Sequence, residues 1–190
     1  MNDQRDTSPG HPLAKTIVLV GLMGAGKSCI GRRLAARLDV PFVDADAEIE
    51  KAAGLTVAEI FEKYGEGYFR DGERRVMSRL LQGTPCILAA GGGAFMDAET
   101  RKLIKEQAVS LWLRAELETL IARTKGRSHR PLLNTGDPRE TLQQLMQTRY
   151  PVYAEADIAV DTGADNPNVT AARALEALEQ HLGQPLATTP

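Results

Sequence analysis

Short apolar runs alternate with segments of helical periodicity over most of the chain. Residues 16–20 form a nearly unbroken apolar run before a glycine, which is typical of a strand that is buried on both faces. Residues 27–38 follow, with Ile30, Leu34 and Leu38 spaced along one helix face. The alternation continues, with further strands predicted at 42–43, 86–90, 109–113 and 158–160 and helices at 48–53, 56–65, 69–81, 97–106, 116–123, 138–150 and 169–182.

Strands that alternate with helices predict an α/β domain in which a parallel sheet is covered by helices on both faces. We expect right-handed crossovers and ligand sites beyond the carboxyl ends of the strands. The chain has 190 residues, enough for one domain with a sizeable core, which we expect over residues 15–182. Residues 1–14 and 183–190 carry Pro, Gly, Ser and Thr and are predicted to be tails, and the polar, basic stretch 125–136 is predicted to be a mobile loop.

The composition narrows the possible partners and the cellular setting. A formal net charge of -2 gives no general attraction to nucleic acid or to an anionic membrane, so clustered arginines need a local explanation. Cys29 and Cys86, the two cysteines, are too far apart in sequence for a disulfide framework or a metal spacing, which favours a reducing cytoplasm. The N-terminal residues lack a hydrophobic signal core, and the apolar runs are too short to span a bilayer. We see no long exposed apolar stripe, so a monomer is the default expectation.

The sequence GLMGAGKS at 21–28 fits the phosphate-binding pattern G-x-x-x-x-G-K-[ST]. In this motif the glycines let backbone N–H groups converge on phosphate oxygens, the lysine reaches the β- and γ-phosphates, and the hydroxyl binds Mg²⁺. These roles fall on Lys27 and Ser28, and the helix that follows adds the positive end of its dipole. The alternative is a glycine-rich turn with a surface lysine, but the position between a strand and a helix favours a nucleotide site.

Two aspartates are the candidates for the second metal ligand and for contact with a substrate. P-loop enzymes generally hold Mg²⁺ with the loop hydroxyl and an acidic residue at a strand end. The apolar run 86–90 ends in glycine, so the candidate is Asp44, after the strand at 42–43, with Asp46 two residues on. At a strand end that leads into a helix, one carboxylate can face the metal and the other a substrate hydroxyl. Aspartate is also a common helix cap, and spacing alone leaves both alternatives open.

Arginines and a run of three glycines are the remaining candidates for anion and substrate contacts. Arg70 follows a glycine-flanked aromatic stretch, Arg123 and Arg130 flank or populate the basic loop, and Arg149 lies near a helix end. Arginine binds carboxylates bidentately and clamps phosphoryl groups, although a single arginine is usually a solvated surface residue. Residues 91–93 are all glycine and follow a predicted strand directly, which allows a ligand close to the backbone, although a tight turn alone would need one or two of them.

Taken in order, these motifs resemble the shikimate kinase family over nearly the whole chain, from about residue 16 to residue 181. The resemblance implies a three-layer α/β/α fold with a five-stranded parallel sheet, of the P-loop NTPase and nucleoside-monophosphate-kinase type, with a lid over ATP at about 124–136. It also implies an enzyme that uses ATP and Mg²⁺ to phosphorylate the 3-hydroxyl of shikimate. The segments that carry it are GLMGAGKS at 21–28, DAD at 44–46, GEGYFR at 65–70 with Glu73, GGG at 91–93, Arg123, RPLL at 130–133, Arg149 with Tyr153, DT at 161–162 and NP at 166–167.

The resemblance assigns the nucleotide side of the site to the P-loop, the lid and two flanking positions. It implies that Lys27 neutralises the transferring phosphoryl group, that Ser28 and Asp44 hold the metal, and that Arg130 reaches from the lid to the phosphates. The implied ATP contacts are Gly24, Ala25, Gly26, Lys27, Ser28, Cys29, Arg123, Arg130 and Pro167.

The resemblance assigns the acceptor side to one acid, two arginines and the triple glycine. It implies that Asp46 binds ring hydroxyls of shikimate and accepts the proton of the attacking 3-hydroxyl. Arg70 and Arg149 would grip the shikimate carboxylate. The backbone of Gly91, Gly92 and Gly93 would lie against the substrate.

Three positions depart from the usual family pattern. Ala45 stands where Ser or Thr is usual, Cys29 where Thr is frequent, and Asp165 where some members have Arg, but none of these removes a group that phosphoryl transfer needs. Two rival functions remain open: a related kinase for a small sugar acid such as gluconate, and a non-catalytic relative that binds a ligand as a regulatory module. The arginine pair and the triple glycine favour shikimate over gluconate, and the intact P-loop lysine, serine and second aspartate argue against a lost activity.

Overall fold

Five strands and seven helices alternate along residues 13–125 and 137–188, the part of the chain that the computed structural model describes. The strands are β1 (Thr16–Val20), β2 (Phe42–Asp44), β3 (Ile87–Ala89), β4 (Ala108–Ala115) and β5 (Ile158–Thr162). The helices are α1 (Lys27–Leu38), α2 (Ala45–Ala53), α3 (Val57–Gln82), α4 (Ala98–Gln107), α5 (Leu117–Thr124), α6 (Pro138–Tyr153) and α7 (Pro167–Leu182). The alternation confirms the α/β class that the apolar pattern predicted.

One parallel sheet joins the strands in the order β2-β3-β1-β4-β5, with β1 at its centre. Ile17 of β1 lies opposite Ile87 of β3 on one side and Val109 of β4 on the other. All five residues of β1 are buried because helices cover both faces of the sheet. α1 packs against α7 and β3, and α4 packs against α3 and β4, which completes the predicted three-layer α/β/α architecture.

Apolar side chains are concentrated in two clusters of different size. The main core follows both faces of the sheet. A smaller cluster of Ile49, Ile60, Phe69 and Val76 joins α2 to α3, two of the three helices that carry acceptor-side candidates. Within the described residues, no helix is both long enough and apolar enough to cross a membrane.

Helix boundaries differ from the predicted ones where capping or glycine geometry intervenes. α2 begins at Ala45, before the predicted start at 48, because the Asp44 side chain accepts backbone N–H bonds from its first turn. The predicted break near Gly65 is present inside α3, where Gly65 has φ 78° and ψ 176°. The helix resumes directly after Gly65, not at 69. α6 continues to Tyr153, beyond the predicted end at 150.

Each of the two predicted tails contributes a buried side chain to the main core. Leu13 is 2% exposed and Leu186 is 7% exposed, and both pack in the main core. The Leu186 N–H also donates to Glu179 Oε1 at 2.9 Å, which ties the chain after α7 back to that helix. Residues 1–12, 126–136 and 189–190 lie outside the described part of the chain, so most of the predicted loop at 125–136 is not described.

The sheet order brings three of the predicted site segments side by side. β2, β3 and β1 are neighbours and run parallel, so their carboxyl ends meet at one edge of the sheet. The segments that follow these ends are the aspartates at 44–46, the glycines at 91–93 and the P-loop at 21–28. This is the edge at which open α/β sheets bind their ligands.

Candidate active site

The P-loop, residues 21–28, leaves β1 and enters α1 in a conformation that favours glycine. Gly24 and Gly26 have φ values of 83° and 97°, in the left-handed region. Gly26 is the N-cap of α1, and its carbonyl accepts the Ile30 N–H at 2.8 Å. Because glycine has no side chain to cap the helix, the first N–H groups of α1 and the positive end of its dipole suit an anion.

Lys27 is folded back over the P-loop. Its Nζ donates hydrogen bonds to Gly21 O at 2.7 Å and to Leu22 O at 3.2 Å. These bonds place an ammonium group beside the backbone that would cradle phosphate, which is the position that the motif predicts.

Ser28 and Asp44, the predicted metal pair, face each other across the sheet edge. Ser28 Oγ donates to Asp44 Oδ2 at 3.3 Å. Asp44 Oδ1 accepts from Asp46 N at 3.1 Å, so Asp44 caps α2 with one oxygen and faces the P-loop with the other. Helix capping and a metal contact, the two roles left open for Asp44, are therefore compatible.

The donor set of this pair fits a magnesium ion that is shared with a nucleotide. Within residues 13–125 and 137–188, no group of three or more His, Cys, Asp or Glu could hold a metal ion. Ser28 and Asp44 offer two oxygen ligands, so a cation beside them would keep further positions for phosphate and water. Mg²⁺ is commonly bound in this way, through one or two carboxylates and the phosphates of the substrate.

Asp46 lies in the first turn of α2 and faces the triple glycine. Its Oδ1 is 2.7 Å from the place that a Cβ on Gly91 would occupy, so this approach requires glycine at 91. Burial and the negative charge of Asp44 raise the pKa of Asp46 above its ordinary value, although Lys27 and Arg70 act in the opposite direction. A carboxylate with a raised pKa is a stronger proton acceptor, which suits a general base.

Arg70 is held on α3 by the buried carboxylate of Glu73. Arg70 Nη1 donates to Glu73 Oε2 at 2.6 Å, and the Glu73 side chain is 1% exposed. Burial raises the pKa of Glu73, although the hydrogen bond from Arg70 lowers it. The pair fixes the guanidinium against Gly93, where Arg70 Cζ would be 2.9 Å from a Cβ.

Arg149 reaches the same glycines from α6. Its Nη1 donates to Gly92 O at 2.9 Å. Arg70 and Arg149, on separate helices, line one cleft of about 390 Å³, and Gly93, Met96 and Thr148 are also part of its lining. This volume is in the usual range for small-molecule sites, and two guanidinium groups make the cleft suitable for a carboxylate.

Arg123 connects the P-loop to the loop between β5 and α7. Its Nη1 donates to Gly24 O and to Ala25 O, each at 3.3 Å. Its Nη2 donates to Gly163 O, and Pro167 begins α7 just after this loop. Arg123 thus contacts both the P-loop and the loop that precedes Pro167.

The three residues that depart from the usual family pattern lie in different surroundings. Ala45 is fully buried at the start of α2. Cys29 is exposed, and Arg33 Nη1 donates to its Sγ at 3.0 Å. Asp165 is paired with Arg173 near the start of α7.

One predicted site residue lies outside the described part of the chain, and one residue of the site had no predicted role. Arg130 falls in the undescribed segment 126–136, so its contact with phosphate stays a prediction. Glu73 was part of the motif order, but no role was predicted for it. Its spacing of three residues after Arg70 on a helix was the available signal for the pair.

A nucleotide loop and an acceptor cleft that meet at one sheet edge are the two halves of a phosphotransferase. β1 and α1 supply the first half, and α2, α3, α6 and the glycines at 91–93 supply the second. Since the loop follows the central strand of a five-stranded parallel sheet, the protein class is a P-loop kinase of the nucleoside-monophosphate-kinase type.

Comparison with known proteins identifies the family within this class. The family model for shikimate kinase matches residues 23–179. A shikimate kinase of Paramagnetospirillum magneticum is 57% identical over 170 residues, which cover 90% of this chain and 87% of the relative. The structure of shikimate kinase from Acinetobacter baumannii in complex with shikimate matches with a TM-score of 0.82 at 36% identity, covering 89% of this chain and 93% of the other. The chain belongs to the shikimate kinase family, which confirms the resemblance inferred from the order of the motifs.

The rival sugar-acid kinases share the fold at a greater distance. The structure of a gluconokinase from Sinorhizobium meliloti matches with a TM-score of 0.56 at 21% identity, over 89% of this chain and 95% of the other. A likeness at this level supports the P-loop kinase fold and says nothing about the acceptor.

Proposed function

We propose that this protein transfers the γ-phosphoryl group of ATP to the 3-hydroxyl of shikimate. The products are shikimate 3-phosphate and ADP, and the reaction belongs to aromatic amino acid (chorismate) biosynthesis. The observation that carries the proposal is the convergence of Asp46, Arg70 and Arg149 on the glycines at 91–93, next to the P-loop. Membership of the shikimate kinase family supports the same acceptor.

The two arginines would hold the acceptor by its carboxylate. Each guanidinium can offer a pair of N–H groups to a planar anion, and Arg70 and Arg149 line the same cleft. A protein with a net charge of -2 has no general attraction for an anion, so capture depends on this local pair. The close approach of Asp46 to Gly91 places a carboxylate where ring hydroxyls would lie beside the glycine backbone.

Asp46 would accept the proton of the 3-hydroxyl as its oxygen attacks the γ-phosphorus. The bond from the acceptor oxygen to phosphorus forms while the bond to the bridging oxygen of ADP breaks, and that electron pair leaves with ADP. The raised pKa of Asp46 makes it a better proton acceptor than an ordinary aspartate. Phosphoryl transfer otherwise depends on in-line positioning and charge stabilisation, which the two halves of the site would provide together.

The nucleotide side would supply positive charge around the moving phosphoryl group. The backbone of residues 24–29 would wrap the ATP phosphates, with Lys27 neutralising the γ-phosphoryl group. Ser28 and Asp44 would hold Mg²⁺, which when bound supplies positive charge at the β- and γ-phosphates. Arg123 and Pro167 would flank adenine, in keeping with the hydrogen bonds from Arg123 to the P-loop. For Arg130, the motif order is the basis for proposing a phosphate contact from a lid at about 124–136.

We further propose a single kinase domain over residues 15–182 that acts as a cytoplasmic monomer, flanked by tails at 1–14 and 183–190. Its proposed partners are ATP and shikimate, without nucleic acid or membrane, in keeping with a net charge that gives no general attraction to either polyanion.

The proposal is tested by measuring ADP formation with Mg-ATP and shikimate, gluconate or no acceptor. Turnover that needs both shikimate and Mg²⁺, with the phosphate found on the 3-oxygen by ³¹P NMR, is the expected result. Lys27→Met, prepared identically, controls for contaminating kinases and should be inactive. Turnover with gluconate alone would overturn the choice of acceptor, and ATP binding without turnover on any acceptor would favour the non-catalytic alternative.

A further inference from the structure

The carbonyl oxygen of Gly92 is held by two donors from one face of α6. Arg149 Nη1 donates to it at 2.9 Å, and the Tyr153 hydroxyl donates to the same oxygen. Arg149 and Tyr153 are four residues apart on the helix, so their side chains lie one above the other. The glycine segment at 91–93 is therefore fastened to the helix that carries one of the two carboxylate-binding arginines.

Tyr153 is buried in a way that leaves its hydroxyl directed at this carbonyl. Its side chain is 0% exposed, and its ring lies 6.5 Å from Phe95 and 6.0 Å from Trp112, measured between ring centroids. Burial raises the pKa of the Tyr153 phenol, so the group keeps its proton at neutral pH and acts as a donor. A buried hydroxyl needs a hydrogen-bond partner, and the Gly92 carbonyl is that partner.

The direction of the Gly92 carbonyl also sets the direction of the next peptide N–H. In a planar trans peptide, the Gly92 C=O and the Gly93 N–H point in opposite directions. A carbonyl held toward α6 therefore turns the Gly93 N–H away from α6. Since Gly91 lies against Asp46 and Gly93 lies against Arg70, rotation of this peptide would disturb both contacts.

We infer that Tyr153 is a positioning residue for acceptor binding. By holding the Gly92 carbonyl, it fixes the peptide between Gly92 and Gly93 and keeps the Arg149 guanidinium against the glycine backbone. Tyr153 acts through these groups and does not itself contact the acceptor. The inference rests on the proposed function, because its readout is the binding of shikimate.

Tyr150 provides a matched control on the same helix. Its hydroxyl also donates to a backbone carbonyl, that of Ala115 at the end of β4, and its ring packs edge-on against Trp112 at 4.9 Å. Tyr150→Phe and Tyr153→Phe each remove one oxygen atom and one hydrogen bond to a carbonyl. They differ in whether that carbonyl belongs to the glycine segment of the acceptor cleft.

Steady-state kinetics with each substrate varied in turn gives the test. In Tyr153→Phe we expect the KM for shikimate to rise about tenfold, the effect of losing one well-placed hydrogen bond. The KM for ATP should stay within about twofold in Tyr153→Phe, and Tyr150→Phe should resemble the wild type for both substrates. An unchanged KM for shikimate in Tyr153→Phe, or an equal rise of the two KM values, would overturn the inference.

A purely structural role for Tyr153 would give a different pattern from a positioning role. A structural role would lower the melting temperature without changing the KM for shikimate more than the KM for ATP. Thermal unfolding is therefore measured for both variants. The rise in melting temperature on adding shikimate reports binding even in a destabilised variant, and this rise should be smaller for Tyr153→Phe than for Tyr150→Phe. Equal rises in melting temperature for the two variants would contradict the inference. A wild-type protein without shikimate-dependent turnover would instead contradict the proposed function.

A double-variant cycle tests whether Tyr153 acts through the group that it shares with Arg149. In an Arg149→Ala background, the further effect of Tyr153→Phe on shikimate binding should shrink from about tenfold to about twofold or less. The reason is that the effects of substitutions at coupled residues do not add. An undiminished effect in that background would reject the coupling of Tyr153 to Arg149.

Discussion

Replacing Gly93 with alanine should move Arg70 out of its place in the acceptor cleft while leaving the fold intact. A Cβ at residue 93 would overlap Arg70 Nη2 and would lie 2.9 Å from Arg70 Cζ, whereas ordinary contact begins at 3.4 Å. The guanidinium must therefore retreat by about half an ångström at Cζ and by more at Nη2. The overlapping atoms are the end of a flexible side chain, and Gly93 is not among the residues with positive φ, so the backbone can accept alanine.

The displacement can be converted into an expected kinetic effect. A hydrogen bond to a charged group contributes about 1.5–3 kcal/mol, which corresponds to roughly 10- to 150-fold in an equilibrium constant. Misplacement of a positioning group by about 1 Å can cost about 100-fold. We therefore expect the KM for shikimate to rise about 10- to 100-fold in Gly93→Ala, with the KM for ATP unchanged because the P-loop is not touched.

Gly72→Ala is the matched control for this experiment. Gly72 lies on α3 close to Arg70, but a Cβ there would meet no atom within 4 Å. Alanine is favoured over glycine inside a helix by about 1 kcal/mol, so this variant should be slightly more stable and equally active. Kinetics and circular dichroism are measured on both variants. A folded Gly93→Ala protein with an unchanged KM for shikimate would refute the placement of Arg70 at the acceptor carboxylate.

Three further predictions concern the chemical step and the metal. Asp46→Asn should lower kcat by about 100-fold or more, the range for loss of a general base, and shikimate-saturated turnover near the wild-type rate would reject that role. Because burial raises the pKa of Asp46 and the base must be ionised, activity should fall as the pH drops through this raised pKa. The acid limb of kcat/KM for shikimate should therefore lie above pH 3.8, and a limb at or below that value would contradict the assignment. Ser28→Ala should raise the Mg²⁺ concentration needed for half-maximal activity about tenfold or more, as a titration at saturating ATP would reveal.

The conformation of the P-loop could be predicted from the sequence because its geometry is local. The P-loop pattern fixes which backbone positions need glycine, and the left-handed φ values at Gly24 and Gly26 meet that requirement. The roles of the two aspartates were harder to predict, since helix capping and metal binding both place aspartate at a strand end. In the structure, Asp44 caps α2 with one oxygen and contacts Ser28 with the other, so a cap and a metal contact are compatible, and the metal contact stays a prediction.

The residues predicted for the acceptor side do lie near one another, but their arrangement could not be predicted. The spacing of three residues signals a pair between Arg70 and Glu73, but it does not indicate that Glu73 is buried. The sequence also does not indicate that Tyr153 and Arg149 share the carbonyl of Gly92. These contacts join segments that are distant in the chain or depend on which helix face packs inward. The extension of α6 to Tyr153, past Pro151 inside the helix, was also not predicted.

The pairing of Arg70 with two glutamates still leaves the cleft able to receive an anion. Glu73 takes Nη1 in a buried pair at 2.6 Å, and this desolvated contact holds the guanidinium in place. Nη2 is engaged by Glu66 at 3.5 Å, but the Glu66 side chain is 70% exposed, and exposed ion pairs of this kind contribute about 0–1 kcal/mol. An acceptor carboxylate can therefore displace Glu66 from Nη2 at little cost while Glu73 keeps the arginine oriented. These two carboxylates have a cost of their own, since the raised pKa values of Asp46 and Glu73 mean that their ionisation removes stability as the pH rises through them. Glu73 is buried and Asp46 is half-buried near it, an arrangement that a fold selected for stability alone would avoid. The proposed site needs both acids, Glu73 to orient Arg70 and Asp46 as the base.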